Sequence, residues 1–270
     1  MKSNTQEFGS SLDLKILSFA LLEEYRRKIN AGIEERFNKL EDAEISTPDF
    51  SFYTSVASVF SSKIEGENIE LDSYVKHKRF GVSFSPDYTK KTDDLYEAYI
   101  FAQENDLNKE NIEKAHKILS KHFLAAHLQG KMRKQNMYVT TSSGEIEYVA
   151  ALPSEVETEM QKLYADIFVL LNAELTIQEV FFFASFLHLV FVKIHPFSDG
   201  NGRTGRLLEK WFLARKLGSK SWLVQSEKYY YNHHQIYYNN LRALGLGYVA
   251  LDYSKVLPFL LMSAESLEDF

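Results

Sequence analysis

The residues with the clearest chemical potential lie between positions 195 and 206, in the stretch HPFSDGNGRTGR. His195, at its start, can accept a proton near neutral pH. Asp199 supplies a carboxylate of the kind that holds a hard divalent cation. Arg203 and Arg206 are spaced one helical turn apart, so both guanidinium groups can contact the same anion. Together these residue types indicate a site that binds a phosphate-containing substrate and moves a proton.

The elements around this stretch are predicted to be a helix, a tight loop and a second helix. An apolar run at 180–194 precedes it, and Pro196 ends that first helix because proline excludes helical geometry for the residue before it. Gly200 and Gly202 let the backbone bend tightly and approach a ligand closely. The second helix is predicted to open at Arg203, and its free N–H groups behind a glycine-rich loop form an anion site.

Each of these features also has an ordinary structural explanation. A Gly-Asn-Gly turn between helices is common, a histidine before proline is often structural, and two arginines one turn apart often lie on a solvated face. Lone motifs of this kind carry little weight. The functional interpretation rests on the conjunction of base, carboxylate, flexible loop and paired arginines within a dozen residues.

The stretch resembles the signature of the Fic family, His-Pro-Phe-x-Asp/Glu-Gly-Asn-Gly-Arg-x-x-Arg, and matches it at every defined position. The resemblance implies a protein adenylyltransferase that moves AMP from ATP to a hydroxyl side chain of a target protein. It implies that His195 accepts the hydroxyl proton and that Asp199 holds Mg²⁺. The residues that it places around the phosphates, with backbone, amide and guanidinium donors, are Gly200, Asn201, Gly202, Arg203 and Arg206.

A second stretch, SSKIEG at 61–66, resembles the inhibitory motif of Fic proteins, Ser/Thr-x-x-x-Glu-Gly/Asn. The resemblance assigns Ser61 and Glu65 to self-inhibition, with Arg206 as the expected partner of Glu65. From the residues alone, Glu65 is placed at the C-terminus of a helix, where the helix dipole disfavours a carboxylate unless a cation offsets it. The alternative is a solvated glutamate at a helix end.

Residues 137–149 are predicted to form a β-hairpin. The segments 137–141 and 145–149 are rich in β-prone residues, and Ser142, Ser143 and Gly144 between them are typical of a turn. An ordinary surface hairpin would give the same pattern. In Fic proteins a hairpin at this point, the flap, lays the target protein beside the active site by strand addition.

The rest of the chain is predicted to be helical, giving an all-α fold with one functional hairpin. Residues 1–90 are expected to form a helical region that carries the inhibitory helix, and residues 91–270 the catalytic core. His188 is expected to be a buried, hydrogen-bonded core residue. The predicted helices span 12–40 with a weak point at Gly32, 49–64, 95–105, 111–128, 154–172, 176–194, 203 to a cap at Gly218, and 256–267.

Composition and charge narrow the functional classes. A net charge of −6 argues against general nucleic-acid affinity. The absence of cysteine excludes disulfides, thiol nucleophiles and zinc–thiolate sites. The polar N-terminus and the short apolar run, below the roughly 20 residues that a membrane span needs, lead us to expect a cytoplasmic protein without membrane partners. A homodimer is left open.

Three alternative functions remain at this point. The same site could remove AMP from a target, with Glu65 directing water. It could transfer another phosphate-containing group. The chain could also be a non-catalytic nucleotide-binding regulator, although binding alone does not require the base that His195 provides.

Overall fold

The structure is a computed structural model, which describes residues 12–29, 32–84, 88–140 and 144–268. Within these ranges the chain forms twelve α-helices and one two-stranded antiparallel sheet, which confirms the predicted all-α fold with a hairpin. The helices are α1 (Leu22–Lys28), α2 (Ile33–Asn38), α3 (Phe52–Ile64), α4 (Leu71–Phe80), α5 (Lys90–Glu104), α6 (Lys109–Leu119), α7 (Pro153–Asn172), α8 (Ile177–Ile194), α9 (Asn201–Leu217), α10 (Ser226–Asn232), α11 (His234–Arg242) and α12 (Leu257–Glu265). The strands are β1 (Tyr138–Thr140) and β2 (Ile146–Val149).

Helix α8 lies at the centre of the molecule. It begins with the predicted capping box, in which Thr176 and Glu179 satisfy each other's backbone N–H groups. The helix is long and apolar enough to cross a membrane by composition, but 89% of it is buried inside the protein, as in the core helix of a soluble protein. It ends at Ile194, directly before His195 and Pro196, as predicted.

Helix α9 packs closely against α8 and carries the second half of the signature. It begins at Asn201, two residues earlier than predicted, and ends at Leu217. Gly218, with a φ of 88°, is its C-cap, as predicted. A Cβ atom on Gly205 would lie 2.8 Å from both His188 and Val192 of α8. Glycine is therefore required at position 205 for the two helices to approach this closely.

The prediction of one helix over residues 12–40 is wrong. Residues 12–20 are not helical, and two short helices, α1 and α2, follow on either side of the weak point at Gly32. The buried carboxylate of Asp166 on α7 accepts the backbone N–H groups of Lys15, Ile16 and Leu17 at 2.6–2.9 Å. Because these donors bond to Asp166, they do not form a helical ladder.

Helix α3 delivers the predicted inhibitory motif. It starts at Phe52, later than predicted, because the Ser51 side chain caps the N–H of Thr54. Gly66 has a φ of 88° and donates to Lys63, while Glu67 donates to Ser62, so the helix ends in a Schellman motif. Glu65 is thereby fixed as the C-cap residue of the helix.

Two further helix boundaries differ by about five residues or more from those predicted, and α4, α10 and α11 were not among the predicted helices. Helix α5 starts at Lys90 rather than at 95, and α6 ends at Leu119 rather than at 128. Beyond Leu119 the chain turns, because the Asp94 carboxylate binds both the backbone N–H and the ring of His122. Gly130 closes this segment, where a Cβ atom would meet the Glu113 carbonyl at 2.6 Å.

The hairpin lies where it was predicted. Tyr138 pairs with Val149 and Val139 with Tyr148, with an irregularity before Thr140. Two residues of the predicted turn, 142 and 143, lie outside the described residues. One hydrophobic cluster extends from α1 and α2 through α8 to α12, and the domain boundary at residue 90 stays a prediction.

The contact of Asp166 predicts a stability effect. Asp166→Ala removes a buried acceptor shared by three backbone donors, so we expect the free energy of unfolding to fall by roughly 2–4 kcal/mol. Urea unfolding measures this loss. Glu157→Ala on the same helix is the control, since its pair with Lys109 is exposed and should change stability by no more than about 0.5 kcal/mol. Equal effects of the two variants would contradict the role of Asp166.

Candidate active site

The turn between α8 and α9 places His195 in a strained backbone conformation. His195 has a φ of 57°, and no other non-glycine residue in the described ranges has a positive φ. Arg133 stabilises this turn from outside the signature. Its Nε donates to the His195 carbonyl at 2.6 Å, and its backbone N–H donates to the Pro196 carbonyl at 2.8 Å.

The same arginine connects the turn to the base of the hairpin. Its guanidinium also contacts the carbonyls of Ala151 and Ile194, at 2.5 and 3.3 Å, and that of Gln135 at 2.8 Å. The sequence reasoning missed Arg133. Its partners are backbone carbonyls, which every residue carries, so the residue types at those positions do not indicate the contact.

The ring of His195 is held in one tautomer. Its Nδ1 lies 3.0 Å from the carbonyl of Val192, so Nδ1–H donates and Nε2 is left with a free lone pair. Burial lowers the pKa of His195, and the charge of Arg133 lowers it further, against the opposing effects of the Val192 bond and of Glu65 and Asp199. The ring is therefore neutral at pH 7 and can accept a proton at Nε2.

Two buried contacts fix the loop that follows. Phe197 is fully buried and stacks on His116 with 3.6 Å between ring centroids. The Asn201 amide binds both the N–H and the carbonyl of Phe197, at 2.9 and 2.8 Å. The structure thus places the Asn201 side chain inside the loop, which leaves its backbone N–H as the donor for the predicted phosphate contact.

His116 supports the same loop and was not singled out from the sequence. Gly130 N–H donates to its Nδ1, and its Nε2 donates to the Asp199 carbonyl, both at 2.9 Å. Burial lowers the pKa of His116 to about 4, so this neutral tautomer persists at physiological pH. Its position on α6, 83 residues before Asp199, gives no local signal of this role.

Arg206 is buried and fully engaged. Its Nε donates to the Ser61 hydroxyl at 2.8 Å, and its Nη2 contacts the Ser61 carbonyl at 3.1 Å and Glu65 Oε1 at 2.6 Å. A Cβ atom on Gly202 would lie 2.4 Å from Glu65 Oε1, so glycine is needed for the carboxylate to reach α9. Helix α3 is thereby joined to the signature by one ion pair.

Glu65 is ionised in this setting. Burial raises its pKa, but the charges of Arg206 and Arg203 outweigh burial, and the net shift is downward. About a quarter of the Glu65 side chain remains accessible. The carboxylate is thus an anion at the edge of the cavity described below.

Arg203 differs from Arg206 in having unsatisfied donors. Its guanidinium lies 3.7 Å from the ring centre of Phe123, and its Nη2 lies 3.7 Å from Asp199 Oδ1. Among the residues that the structure describes, no acceptor contacts its buried Nε and Nη1. Buried donors without acceptors are unfavourable, so this side chain is suited to an anionic ligand.

A hydrogen-bond chain runs from Arg206 into the core. Arg206 Nη1 lies 3.4 Å from the Tyr237 hydroxyl, Tyr237 lies 3.1 Å from His188 Nε2, and His188 Nδ1 lies 2.7 Å from Glu209. The hydroxyl of Tyr230 also donates to Glu209. Burial lowers the pKa of His188, so the neutral ring donates from Nδ1 and accepts at Nε2. His188 is a buried, hydrogen-bonded core residue, as predicted.

A cavity of about 150 Å³ lies between the hairpin, the end of α8, the start of α9 and α11. We call it the site cavity. Its acidic and basic walls come from residues far apart in the sequence, while Asp199 lies outside it and is about half exposed. The lining residues are Glu65, Val139, Glu147, Tyr148, Val192, Lys193, His195, Gly202, Arg206, Tyr237, Tyr238, Leu241 and Arg242.

Residues 106–213 match the Fic/DOC family model. The chain contains a Fic domain. The match includes the whole signature, α6 and the hairpin, whereas Glu65 lies before its first residue.

Solved structures of Fic proteins share this fold. A Fic family protein from Desulfovibrio desulfuricans G20 superposes with a TM-score of 0.72 at 18% identity, over 95% of this chain and 74% of that one. A Fic-domain-containing signaling protein from Bacteroides thetaiotaomicron VPI-5482 gives 0.60 at 17% identity, over 93% and 95%. Fic-1 from C. elegans gives 0.64 at 18% identity, over 92% and 69%. None of the curated proteins matches the sequence.

The predicted site residues fall into two groups. His195, Gly202, Arg206 and Glu65 meet around the site cavity, with Ser61 behind Arg206. The others, Asp199, Gly200, Asn201 and Arg203, form the loop and the first turn of α9 beside it. The contact between Glu65 and Arg206 is present.

The electrostatics of His195 predict a titration that needs no substrate. We expect its midpoint, followed by ring-proton NMR, to lie below the ordinary value of about 6.5. The charge of Glu65 favours the imidazolium, so Glu65→Gln should lower the midpoint further. Glu70→Gln, which replaces the exposed ion-pair partner of Lys63, should leave the His195 midpoint unchanged. A midpoint at or above 6.5 would contradict the neutral base.

Proposed function

We propose that this protein transfers AMP from ATP to a hydroxyl side chain of a target protein and that Glu65 restrains the reaction. Fic domain proteins generally transfer a nucleoside monophosphate to targets, which supports the reaction class. The observation that carries the proposal is a neutral His195 with a free Nε2, placed in one cavity with the Arg206 guanidinium.

The bond changes follow from the role of His195. The target hydroxyl oxygen forms a bond to the α-phosphorus of ATP, and the bond from that phosphorus to the leaving pyrophosphate breaks. Nε2 of His195 accepts the hydroxyl proton as the bond forms. Because Nδ1–H is bonded to the Val192 carbonyl, the ring is held with Nε2, and not Nδ1, available to the hydroxyl. Arg133 keeps this geometry by holding the backbone of His195.

The phosphates would bind at the start of α9. The N–H groups of its first turn have no carbonyl partners within the helix, and the helix dipole adds positive potential there. Gly200, with a φ of 80°, forms the cap of this helix. The unsatisfied donors of Arg203 and the guanidinium of Arg206 supply the positive charge for the outer phosphates.

Asp199 is the residue proposed to hold Mg²⁺. No group of three or more His, Asp or Glu side chains in the described part of the chain could bind a metal alone. A single exposed carboxylate next to a phosphate site fits Mg²⁺, which commonly binds through one or two carboxylates and substrate phosphates. The ion would offset charge on the α- and β-phosphates.

The aromatic wall of the site cavity is proposed to border the adenine. Tyr238 and Leu241, both on α11, line this cavity. A flat base with polar edges suits such a surface of apolar and phenol groups.

The hairpin is proposed to dock the target protein. Val139 of β1 and Tyr148 of β2 line the site cavity, so a segment along the hairpin passes His195. Val149 N–H donates to the Leu246 carbonyl at 2.8 Å, so the end of β2 already has a neighbour on its outer side. The outer edge of β1 is therefore the edge to which a target strand would add.

Glu65 would restrain transfer by competing for Arg206. While Nη2 of Arg206 binds Glu65, it cannot offer the same hydrogen bond to a phosphate. The carboxylate also repels phosphate charge at close range. ATP would then bind with its α-phosphate turned away from in-line attack.

Removal of AMP from a modified target is the second candidate. The observation that favours it is the ionised carboxylate of Glu65, which lines the same cavity as His195 and could direct a water molecule. Intact-mass measurement separates the two reactions. Transfer adds one AMP to a protein incubated with MgATP, whereas removal lowers the mass of a modified protein.

The first test concerns His195. His195→Ala should reduce AMP transfer by ~10²–10⁴-fold, the usual contribution of a general base. ATP binding, measured by calorimetry, should remain, because the ring acts on the proton of the target. His127→Ala, at an exposed histidine outside the cavity, is the control. Transfer by His195→Ala at the rate of the control would refute the assignment of the base.

The second test concerns Glu65. Glu65→Gly should raise AMP transfer at least about tenfold, since a charge-assisted hydrogen bond contributes about 1.5–3 kcal/mol. Self-modification and labelling of a lysate measure the rate. Glu65→Gly combined with Arg206→Ala should be inactive, because the same guanidinium serves the productive phosphate pose. Glu70→Gly is the matched control at a surface ion pair. If folded Glu65→Gly labels no better than Glu70→Gly, Glu65 does not inhibit.

A further inference from the structure

Lys193 is a buried cation in the site cavity that the proposed transfer does not use. It lies two residues before His195 on the last turn of α8, and only 4% of it is exposed. Its Nζ lies 4.1 Å from the ring centre of Tyr148, and the Tyr148 hydroxyl donates to the Lys193 carbonyl at 2.7 Å. The ammonium is thus held between the catalytic end of α8 and strand β2.

The ammonium of Lys193 has no anionic partner. In the described ranges, no carboxylate lies within ion-pair distance of it and no acceptor bonds to it, whereas Arg206 and Arg242 in the same cavity are paired with Glu65 and Glu147. Burial accordingly lowers the pKa of Lys193 to about 8. The group remains mostly protonated at neutral pH, and the cavity carries an unmatched positive charge at this end.

Lys78 provides an internal comparison. Its Nζ also lies over a tyrosine, 4.4 Å from the ring centre of Tyr96, but it is paired with Glu97 and Asp93. Burial lowers the pKa of Lys78 as well, yet these carboxylates outweigh burial and the net shift is upward. The ring alone therefore does not replace a carboxylate, and the missing component at Lys193 is an anion.

We propose that Lys193 binds an acidic side chain of the target protein, next to the hydroxyl that is modified. This proposal rests on the proposed transfer. The position favours the target over the nucleotide, because Lys193 contacts Tyr148 of the hairpin. The groups proposed to bind the phosphates, the donors of Arg203 and the N–H groups of the first turn of α9, lie in the signature instead. Val139 of β1 pairs with Tyr148, and both line the site cavity. A target strand added to β1 would present its side chains on this shared face, toward the ammonium.

A carboxylate-binding subsite at Lys193 predicts that the protein prefers certain target sequences, with a defined pH dependence. Targets with Asp or Glu beside the hydroxyl should bind about tenfold more tightly than their amide counterparts. The preference should be present below about pH 8, where Lys193 is protonated, and should fade above it. Bound carboxylate stabilises the ammonium, so binding should raise the pKa of Lys193.

NMR of protein labelled with [ε-¹³C]lysine tests the subsite without requiring activity. The Lys193 signal, identified by its loss in Lys193→Met, should titrate with a midpoint near 8. The probes are peptides with one Ser, Thr or Tyr flanked by Glu, and a matched set with Gln. The Glu peptides should raise the midpoint and the Gln peptides should not. A midpoint that no Glu peptide moves, or that only a non-hydrolysable MgATP analogue moves, overturns the proposal.

Transfer to the same peptides provides the second arm, with Glu65→Gly as the active background. Glu peptides should be modified with about tenfold higher kcat/KM than Gln peptides, because their KM is lower. Adding Lys193→Met should abolish this preference, whereas adding Lys78→Met should retain it. Modification without a preference refutes the subsite alone. If no peptide is modified, the proposed transfer fails on these probes, and the NMR titration still decides whether Lys193 binds carboxylates.

Discussion

The guanidinium of Arg206 is the charge on which the arrangement of the cavity depends. A buried cation is tolerated only with partners. Here they are Ser61 of α3, Glu65 at the C-terminal end of α3, and Tyr237 of α11. One side chain thus fixes elements that are far apart in the sequence. An anion that binds Arg206 must share this guanidinium with Glu65 or displace that carboxylate.

Neutral histidines with fixed tautomers supply the complementary constraint. His116 bonds to the Asp199 carbonyl and so holds the loop. His188 accepts from Tyr237 and donates to Glu209. His195 keeps Nε2 free. Burial lowers the pKa of all three rings. The chain through His188 also means that Arg206 retains Tyr237 when Glu65 leaves, so the guanidinium stays in place for a phosphate.

The sequence predicted those parts whose causes are local. Pro196 ends α8, Gly66 ends α3 and Thr176 starts α8, so these boundaries followed from residue types alone. The hairpin followed from its alternation. The segment 12–20 was predicted wrongly because its backbone donors bind Asp166, about 150 residues away. Arg133 and His116 were missed because they act on distant backbone carbonyls. The pairing of Glu65 with Arg206 came from the family resemblance, since spacing cannot connect residues 141 positions apart.

We propose that Arg206 binds either Glu65 or a nucleotide phosphate. A crystal structure of Glu65→Gly with Mg²⁺ and a non-hydrolysable ATP analogue tests it most directly. We expect a phosphate oxygen to take the position against Arg206 Nη2 that Glu65 Oε1 holds in the wild-type protein, 2.6 Å away. Phosphates bound elsewhere, with Arg206 contacting only Ser61 and Tyr237, would contradict it.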